Sequence, residues 1–155
     1  MSWSVVGFGK HKGKTLPQIV FSDPDWFFWA MENKVFAGKG SLDTEAVKIN
    51  ELSRKIQIKN NSKGDLQVEY LIHQPTGKFA HFDIVSDEIP LHQGGSPAFR
   101  LKVIDMSVPR QIAQYDKFGC KSLLSSIKTH VFGNSKKRLT KKLAEEFFDD
   151  ASNFA

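Results

Sequence analysis

Residues 7–34 constrain the fold more than any other part of the chain, because they combine close glycines, a lysine-rich loop and a sharply marked helix start. Gly9 and Gly13 lie four residues apart, and glycine tolerates the positive φ angles that tight turns require. The preceding residues 4–8 include two valines and predict a short strand. We therefore predict a tight turn with an exposed basic tip, formed by Lys10, His11, Lys12 and Lys14.

A loop of this composition has two interpretations. Clustered lysines and aligned backbone N–H groups can hold a phosphate group, but the same residues also suit the solvated tip of a hairpin. The loop lacks the glycine spacing and the Gly-Lys-Ser/Thr ending of a P-loop. Gly7 and Gly9 form one Gly-x-Gly, but the next glycine comes one residue late for the dinucleotide-binding pattern. The loop is therefore a candidate phosphate site without a recognised nucleotide motif.

The sequence Asp23-Pro24-Asp25 marks the start of a helix. Asp23 is a good N-cap, Pro24 suits the first helical position, and Asp25 is favoured near the positive end of the helix dipole. These signals predict a helix over residues 24–33.

Two tryptophans mark one face of this helix. Trp26 and Trp29 are three residues apart and share a face with Ala30, whereas Phe28 lies off that face. Aromatic side chains at this density are typical of a hydrophobic core. The alternative is a platform on which unpaired bases stack, next to the lysine loop.

The order of these residues resembles the C-terminal module of exodeoxyribonuclease X-like proteins. The resemblance covers residues 5–35, about a fifth of the chain, and rests on Phe8-Gly9-Lys10-x-Lys12-Gly13, Leu16, Ile19, Asp23 and Trp26-x-x-Trp29. The same module stands alone in small proteins described as quorum-sensing-regulated virulence factors. Because this module is separate from the nuclease domain, the resemblance implies a DNA-associated accessory module rather than a catalyst.

Composition and charge fit a single globular domain with a basic surface. The 155 residues suffice for a real core, and 40% of them are hydrophobic. The net charge of +5 permits a polyanionic partner. One cysteine excludes an internal disulfide framework and a cysteine-based zinc site. The sequence shows neither a signal peptide nor a run of roughly 20 apolar residues, so we expect a cytoplasmic protein that does not enter a membrane.

After residue 40 the hydrophobic pattern changes from helical to alternating. An amphipathic helix is predicted over residues 42–55, and strands are predicted over residues 66–73, 79–85 and 98–105, with a further strand starting near Ile56. Further helices are expected within residues 109–150. One opens at Pro109 and is interrupted near residues 117–119, and the next is marked by an apolar stripe from Leu123 to Phe132 and ends at Gly133. These elements predict one α+β domain over residues 1–155, with an antiparallel sheet of four or five strands and helices packed on one face. The strands up to residue 85 are expected to form an antiparallel meander.

The last predicted strand offers a second group of cations. Phe99, Leu101 and Val103 alternate with Arg100 and Lys102, so one face of the strand should be buried and the other basic and open. A third group, Lys136, Lys137 and Arg138, precedes the last helix.

The sheet also carries residues that a metal-dependent nuclease would use. His81 and Asp83 are two residues apart and therefore share a face of one strand, with Asp87 nearby. No ligand spacing here matches a recognised metal motif, so neither a metal nor another cofactor is predicted. Cys120 lies in a helical stretch and is interpreted as a buried structural cysteine.

The C-terminal residues 145–154, from Glu145 to Phe154, are acidic and aromatic. They suit an acidic peptide that docks on a partner protein or on a second copy of the chain, and equally an ordinary terminal helix with a frayed end.

These observations lead us to expect a non-catalytic nucleic-acid-binding protein of bacterial or phage type, an accessory in DNA metabolism, with single-stranded DNA among its candidate partners. An adaptor or inhibitor acting through the acidic tail is the alternative, and a metal-dependent nuclease is the third. The candidate nucleic-acid-binding residues are Lys10, His11, Lys12, Lys14, Trp26, Trp29, Arg100, Lys102, Lys136, Lys137 and Arg138.

Overall fold

A computed structural model of the chain describes residues 2–73, 76, 78–91, 98–133 and 139–155. Its helices are α1 (Leu16–Ser22), α2 (Pro24–Glu32), α3 (Ser41–Leu52), α4 (Ser107–Ala113), α5 (Lys117–Phe132) and α6 (Lys141–Asp149), followed by a 3-10 turn over Ala151–Asn153. Its strands are β1 (Leu66–His73), β2 (Lys78–Ser86) and β3 (Ala98–Leu101).

The N-terminal turn forms as predicted, but the strand before it does not. Gly9 and Gly13 adopt φ angles of 70° and 91°, and the Val6 N–H donates to the Lys14 carbonyl at 2.8 Å. Residues 4–8 contribute only an isolated bridge between Val5 and Thr15, so the strand prediction was wrong. The chain turns back after too few residues to extend the ladder, and enters α1, which the sequence analysis did not predict.

Helix α2 begins at Pro24 as expected, and the Asp23 side chain accepts a hydrogen bond from the Trp26 N–H at 3.1 Å. Helix α2 buries side chains on more of its circumference than its sequence pattern indicated. Phe28 is only 1% exposed, although it lies off the face of the tryptophans. The reason is that α1, α3 and α4 all pack against α2, so that more than one side of the helix is covered.

The sheet formed by the described residues has three antiparallel strands in the order β2-β1-β3, not the predicted four or five. Strand β1 is central. It pairs antiparallel with β2, in agreement with the predicted meander, and with β3 on its other side. Ile56 makes only isolated bridges, to Ile104 and Phe154, and β3 ends at Leu101. In place of the predicted fourth strand, single backbone pairings join Ile56 to Ile104 and to Phe154.

One face of the sheet lies against the core. Val68 and Tyr70 of β1 are fully buried, and α5 packs against β2. The α4–α5 junction is drawn onto the sheet by Asp116, whose carboxylate accepts hydrogen bonds from the Gly119 N–H at 2.8 Å and from the Phe79 N–H of β2 at 3.2 Å. Helix α5 therefore starts at Lys117, six residues before the predicted hydrophobic stripe, and ends at Gly133 with φ 82°, as predicted.

The acidic-aromatic tail is part of the core. Phe147, Phe148 and Phe154 are buried and surround Phe21 or one another with ring centroids 5.3–5.7 Å apart. The Trp3 Nε1–H donates to an Asp149 carboxylate oxygen at 3.1 Å, so the two end regions of the chain are in contact. A terminal helix is present here as α6, as one of the two interpretations predicted, but its end is not frayed, because Phe154 is buried. The aromatic side chains that a detachable peptide would present are enclosed.

The burial of the tail predicts a large stability loss for Phe148→Ala. Emptying a fully packed phenylalanine site should lower the free energy of unfolding by about 3–5 kcal/mol. The matched control is Phe118→Ala, because Phe118 is 83% exposed and its removal should cost less than about 0.5 kcal/mol. Urea unfolding followed by circular dichroism measures both, and equal losses would show that the tail is not part of the core.

Close packing at Gly119 predicts a second stability effect. A Cβ added there would lie 2.8 Å from the Phe79 Cβ and would also overlap the Asp116 carboxylate. Gly119→Ala should therefore destabilise the fold by about 1–3 kcal/mol, despite the better helix propensity of alanine. Gly7→Ala is the control, because a Cβ at Gly7 meets nothing within 4 Å. If urea unfolding shows Gly119→Ala to be as stable as the wild type, Gly119 does not pack closely against Phe79 of β2.

Candidate functional site

A cleft of about 360 Å³ opens between the lysine loop, the α1–α2 junction and the first half of α5. Its charged lining comprises Lys10, His11, Lys14, Asp23, Asp25, Lys117 and Lys121. Three of these residues belong to the predicted basic loop, whereas the two lysines of α5 were not selected from the sequence. The fold thus joins cations from positions about a hundred residues apart.

Asp23 organises the loop side of this cleft. One of its carboxylate oxygens lies 3.0 Å from the Lys10 Nζ and 2.9 Å from the His11 Nε2, while the other accepts from the Trp26 N–H. Burial alone would raise the pKa of Asp23, but the hydrogen bonds from Lys10, His11 and the Trp26 amide outweigh it, so the pKa lies below its ordinary value. Asp23 is therefore a firmly ionised anchor for the loop.

His11 does not lie at an exposed tip, as the sequence analysis expected. Its residue surface is only 7% exposed, and its ring meets the Trp26 ring edge-on at a centroid distance of 4.9 Å. The reason is that the turn folds back onto the beginning of α2, where the Asp23 carboxylate attracts the imidazole. His11 therefore has a structural role in holding the loop, and Lys12 is exposed but does not line the cleft.

The second acidic residue of the cleft is also neutralised. The Arg110 guanidinium of α4 donates to an Asp25 oxygen at 2.7 Å and to a Glu32 oxygen at 3.0 Å, which bridges α4 to both ends of α2. Because Asp23 and Asp25 both have cationic partners, neither leaves an unpaired negative charge facing the opening.

Lys14, Lys117 and Lys121 give the cleft an excess of positive charge. No carboxylate within the described ranges lies within ion-pair distance of these three lysines. Lys117 is moreover the first residue of α5, where the helix dipole adds to the positive potential. The arrangement suits a polyanion that contacts lysines of the loop and of α5 at the same time.

The tryptophans are less available than a stacking platform requires. Trp26 is half-buried between the rings of His11 and Phe36, at centroid distances of 4.9 and 6.0 Å. Trp29 retains 43% exposure. Of the two predicted stacking residues, only Trp29 presents substantial surface to solvent.

The second cation group is not an open basic face. The Arg100 Nε lies 2.8 Å from a Glu69 carboxylate oxygen, and both side chains are only 10% exposed. The pairing arises because β3 lies beside β1 and places Arg100 directly opposite Glu69. Lys102 is exposed beyond the end of β3. The third group, Lys136, Lys137 and Arg138, lies outside the described residues.

Sequence reasoning missed four residues around the cleft, all near the start of α5. Lys117 and Lys121 line it, and Tyr115 and Phe118 beside them are 69% and 83% exposed. The four-residue spacing of the two lysines was a usable signal, because such residues share one face of a helix. The signal was overlooked because the predicted helix began only at residue 123.

The structure gives no support to a reactive cysteine or a metal site within the described residues. Burial, together with the nearby Asp25 and Asp23 carboxylates, raises the pKa of the Cys120 thiol to about 11, so the buried cysteine is protonated at neutral pH. His81 and Asp83 do share a face, 4.0 Å apart. Over the parts of the chain that the structure describes, no three His, Cys, Asp or Glu side chains are grouped closely enough to hold a metal ion.

No protein-family model matches the chain, and no curated protein or solved structure is significantly similar to it. None of the helices formed by the described residues is long and apolar enough to cross a bilayer.

The environment of Asp23 predicts a pH-dependent effect of Asp23→Asn. Asparagine retains the N-cap oxygen but removes the charge that binds Lys10 and His11, so the variant should lose about 1–3 kcal/mol at pH 7. Because the pKa is lowered in the folded state, this contribution is complete above the ordinary value of 3.8 and declines as the pH falls through the folded pKa.

Urea unfolding of the wild type and the variant between pH 7 and pH 2.5 measures this difference. The control is Asp83→Asn, which alters an exposed carboxylate on β2 and should change the free energy of unfolding by less than about 0.5 kcal/mol. A difference between wild type and Asp23→Asn that stays constant down to pH 2.5 would contradict the ionic role of Asp23.

Proposed function

We propose that the protein is a non-catalytic nucleic-acid-binding protein, an accessory in DNA metabolism, that holds the phosphate backbone in the cleft between the lysine loop and α5. The observation that carries this proposal is the set of three lysines, Lys14, Lys117 and Lys121, whose charges have no carboxylate partner among the described residues. A row of cations without internal partners is the electrostatic signature of a surface that tracks a polyanion.

The chemistry of lysine fits backbone binding rather than the recognition of a base sequence. Lysine is a point charge on a flexible stem, and contacts to phosphate carry no information about bases. The net charge of +5 would also increase the rate of encounter with a polyanion. The proposal is therefore of binding without sequence preference.

The resemblance of residues 5–35 to a DNA-associated module agrees with this location. Its lysine-bearing segment, from Phe8 to Gly13, forms the loop that places Lys10 in the cleft. Asp23, which matches the acidic position of the same pattern, holds that loop by its hydrogen bond to His11. The matching residues thus build one wall of the cleft, and α5 supplies the other.

The adaptor alternative has no comparable observation in its favour. The aromatic side chains of the tail that would make a docking motif are enclosed in the core. The nuclease alternative rests on His81 and Asp83, which lie on β2 rather than in the cleft.

The double variant Lys117→Gln/Lys121→Gln tests the cleft. It should weaken the binding of a 20-nucleotide DNA on the order of tenfold at low salt, and reduce the slope of log K against log salt concentration by about 1 for each lysine in contact with phosphate. Fluorescence anisotropy at several salt concentrations measures both quantities.

The matched control is Lys59→Gln/Lys63→Gln, which removes the same two charges at exposed positions before β1. Both double variants lower the net charge by two, from +5 to +3. The control should retain near wild-type affinity. An equal loss in both variants would show that only total charge matters and would remove the cleft from the proposal.

A further inference from the structure

The two most exposed large hydrophobic side chains of the described residues are three residues apart in the chain, at the α4–α5 junction. Phe118 is 83% exposed and Tyr115 is 69% exposed. Neither ring stacks on another aromatic ring or on a cation within the parts of the chain that the structure describes. Single exposed apolar residues are ordinary on protein surfaces. Two exposed aromatic residues close in the chain to the cleft lysines Lys117 and Lys121 are less common and suggest a binding surface.

The backbone that carries these rings is firmly held. Asp116 accepts hydrogen bonds from the Gly119 N–H and, across to the sheet, from the Phe79 N–H. Gly119 itself packs so closely on Phe79 that even a methyl group would not fit. Because the first turn of α5 is anchored to β2 through residue 119, the neighbouring residue Phe118 is held pointing away from the core.

Helix geometry places Phe118 beside the cleft lysines. Residues three apart are neighbours on a helix surface, so Phe118 adjoins Lys121, and Lys117 precedes it directly. Tyr115 comes two residues before Lys117, just ahead of the capping Asp116. Phe118 and Lys121 are therefore neighbours on α5, and Tyr115 and Lys117 lie within one turn before them in the chain.

We propose that Phe118 and Tyr115 stack on unpaired bases of a single-stranded nucleic acid whose phosphates contact Lys117 and Lys121. This inference rests on the proposed function and adds the choice of strand form. Aromatic side chains beside a basic groove provide the two contacts that a single strand needs, a face for each base and a cation for the backbone. In a duplex the base faces are already covered by their neighbours, so the rings would gain nothing there.

Replacement of the rings tests the proposal directly. Phe118→Ala and Tyr115→Ala should each weaken the binding of a 20-nucleotide single-stranded DNA about 5- to 150-fold, the loss associated with one stacked base. Binding of the matching duplex should remain unchanged, and so should the salt slope, because no phosphate contact is removed. Fluorescence anisotropy measures these affinities, and circular dichroism verifies the fold.

Two further variants separate stacking from simple apolar contact. Phe118→Trp should retain the affinity for single strands, whereas Phe118→Leu should behave like Phe118→Ala, because leucine is apolar but has no π face. Phe99→Ala is the control, because Phe99 is another exposed aromatic residue and does not line the cleft, and it should have no effect on binding. Quenching of 2-aminopurine in the bound strand by the wild type, but not by Phe118→Ala, would report the stacking itself.

The outcomes distinguish the two proposals. If the wild type binds DNA and responds to Lys117→Gln/Lys121→Gln, but Phe118→Ala binds single strands as well as the wild type, the stacking inference is overturned and the phosphate site stands. Equal losses for single and double strands also overturn stacking. If the wild type binds neither probe at low salt, the proposed function fails, and the stacking inference with it.

Discussion

The carboxylate of Asp23 is the interaction on which the loop wall of the cleft depends. The Asp23 N–H ends α1 by donating to the Ile19 carbonyl at 2.7 Å, and its side chain begins α2 at the Trp26 N–H. The same side chain holds Lys10 and His11. A partly buried carboxylate is costly unless it is fully hydrogen-bonded, so these partners must be present together. Two helices and the basic turn are therefore fixed at one point.

Features that depend on neighbouring residues were predictable from the sequence, and features that depend on distant pairing were not. The cap at Asp23 and the strand Leu66–His73 follow from local chemistry and from alternation, and both are present. The pairing of β3 with β1 brings together segments about 30 residues apart, and no local pattern specifies which edge it joins. The same pairing encloses Arg100 against Glu69, whereas Phe99, predicted to be buried, is 39% exposed, so the alternation along β3 did not by itself give the burial of its residues.

The candidate site shows the same division. Lys10 and Lys14 were identified because the glycines around them predict a turn, and both line the cleft. Lys117 and Lys121 were missed because Gly119 was interpreted as an interruption of the helix, a reasonable inference from glycine's poor helix propensity. In the structure, Gly119 instead permits the close approach of α5 to Phe79. A glycine that looks like a break in the sequence can thus mark a close contact between a helix and a strand.

The hydrogen bond between Trp3 and Asp149 has a consequence for how the protein reaches its native state. It joins residues 146 positions apart, and the ring of Phe148 beside it packs on Trp3. Contacts of such long sequence separation slow folding, because a large loop must close before they form. During synthesis, the N-terminal helices emerge from the ribosome well before α6. The apolar surface of α1 that α6 covers is exposed until α6 has been synthesised. The core against which α1 packs is therefore complete only when α6 is present.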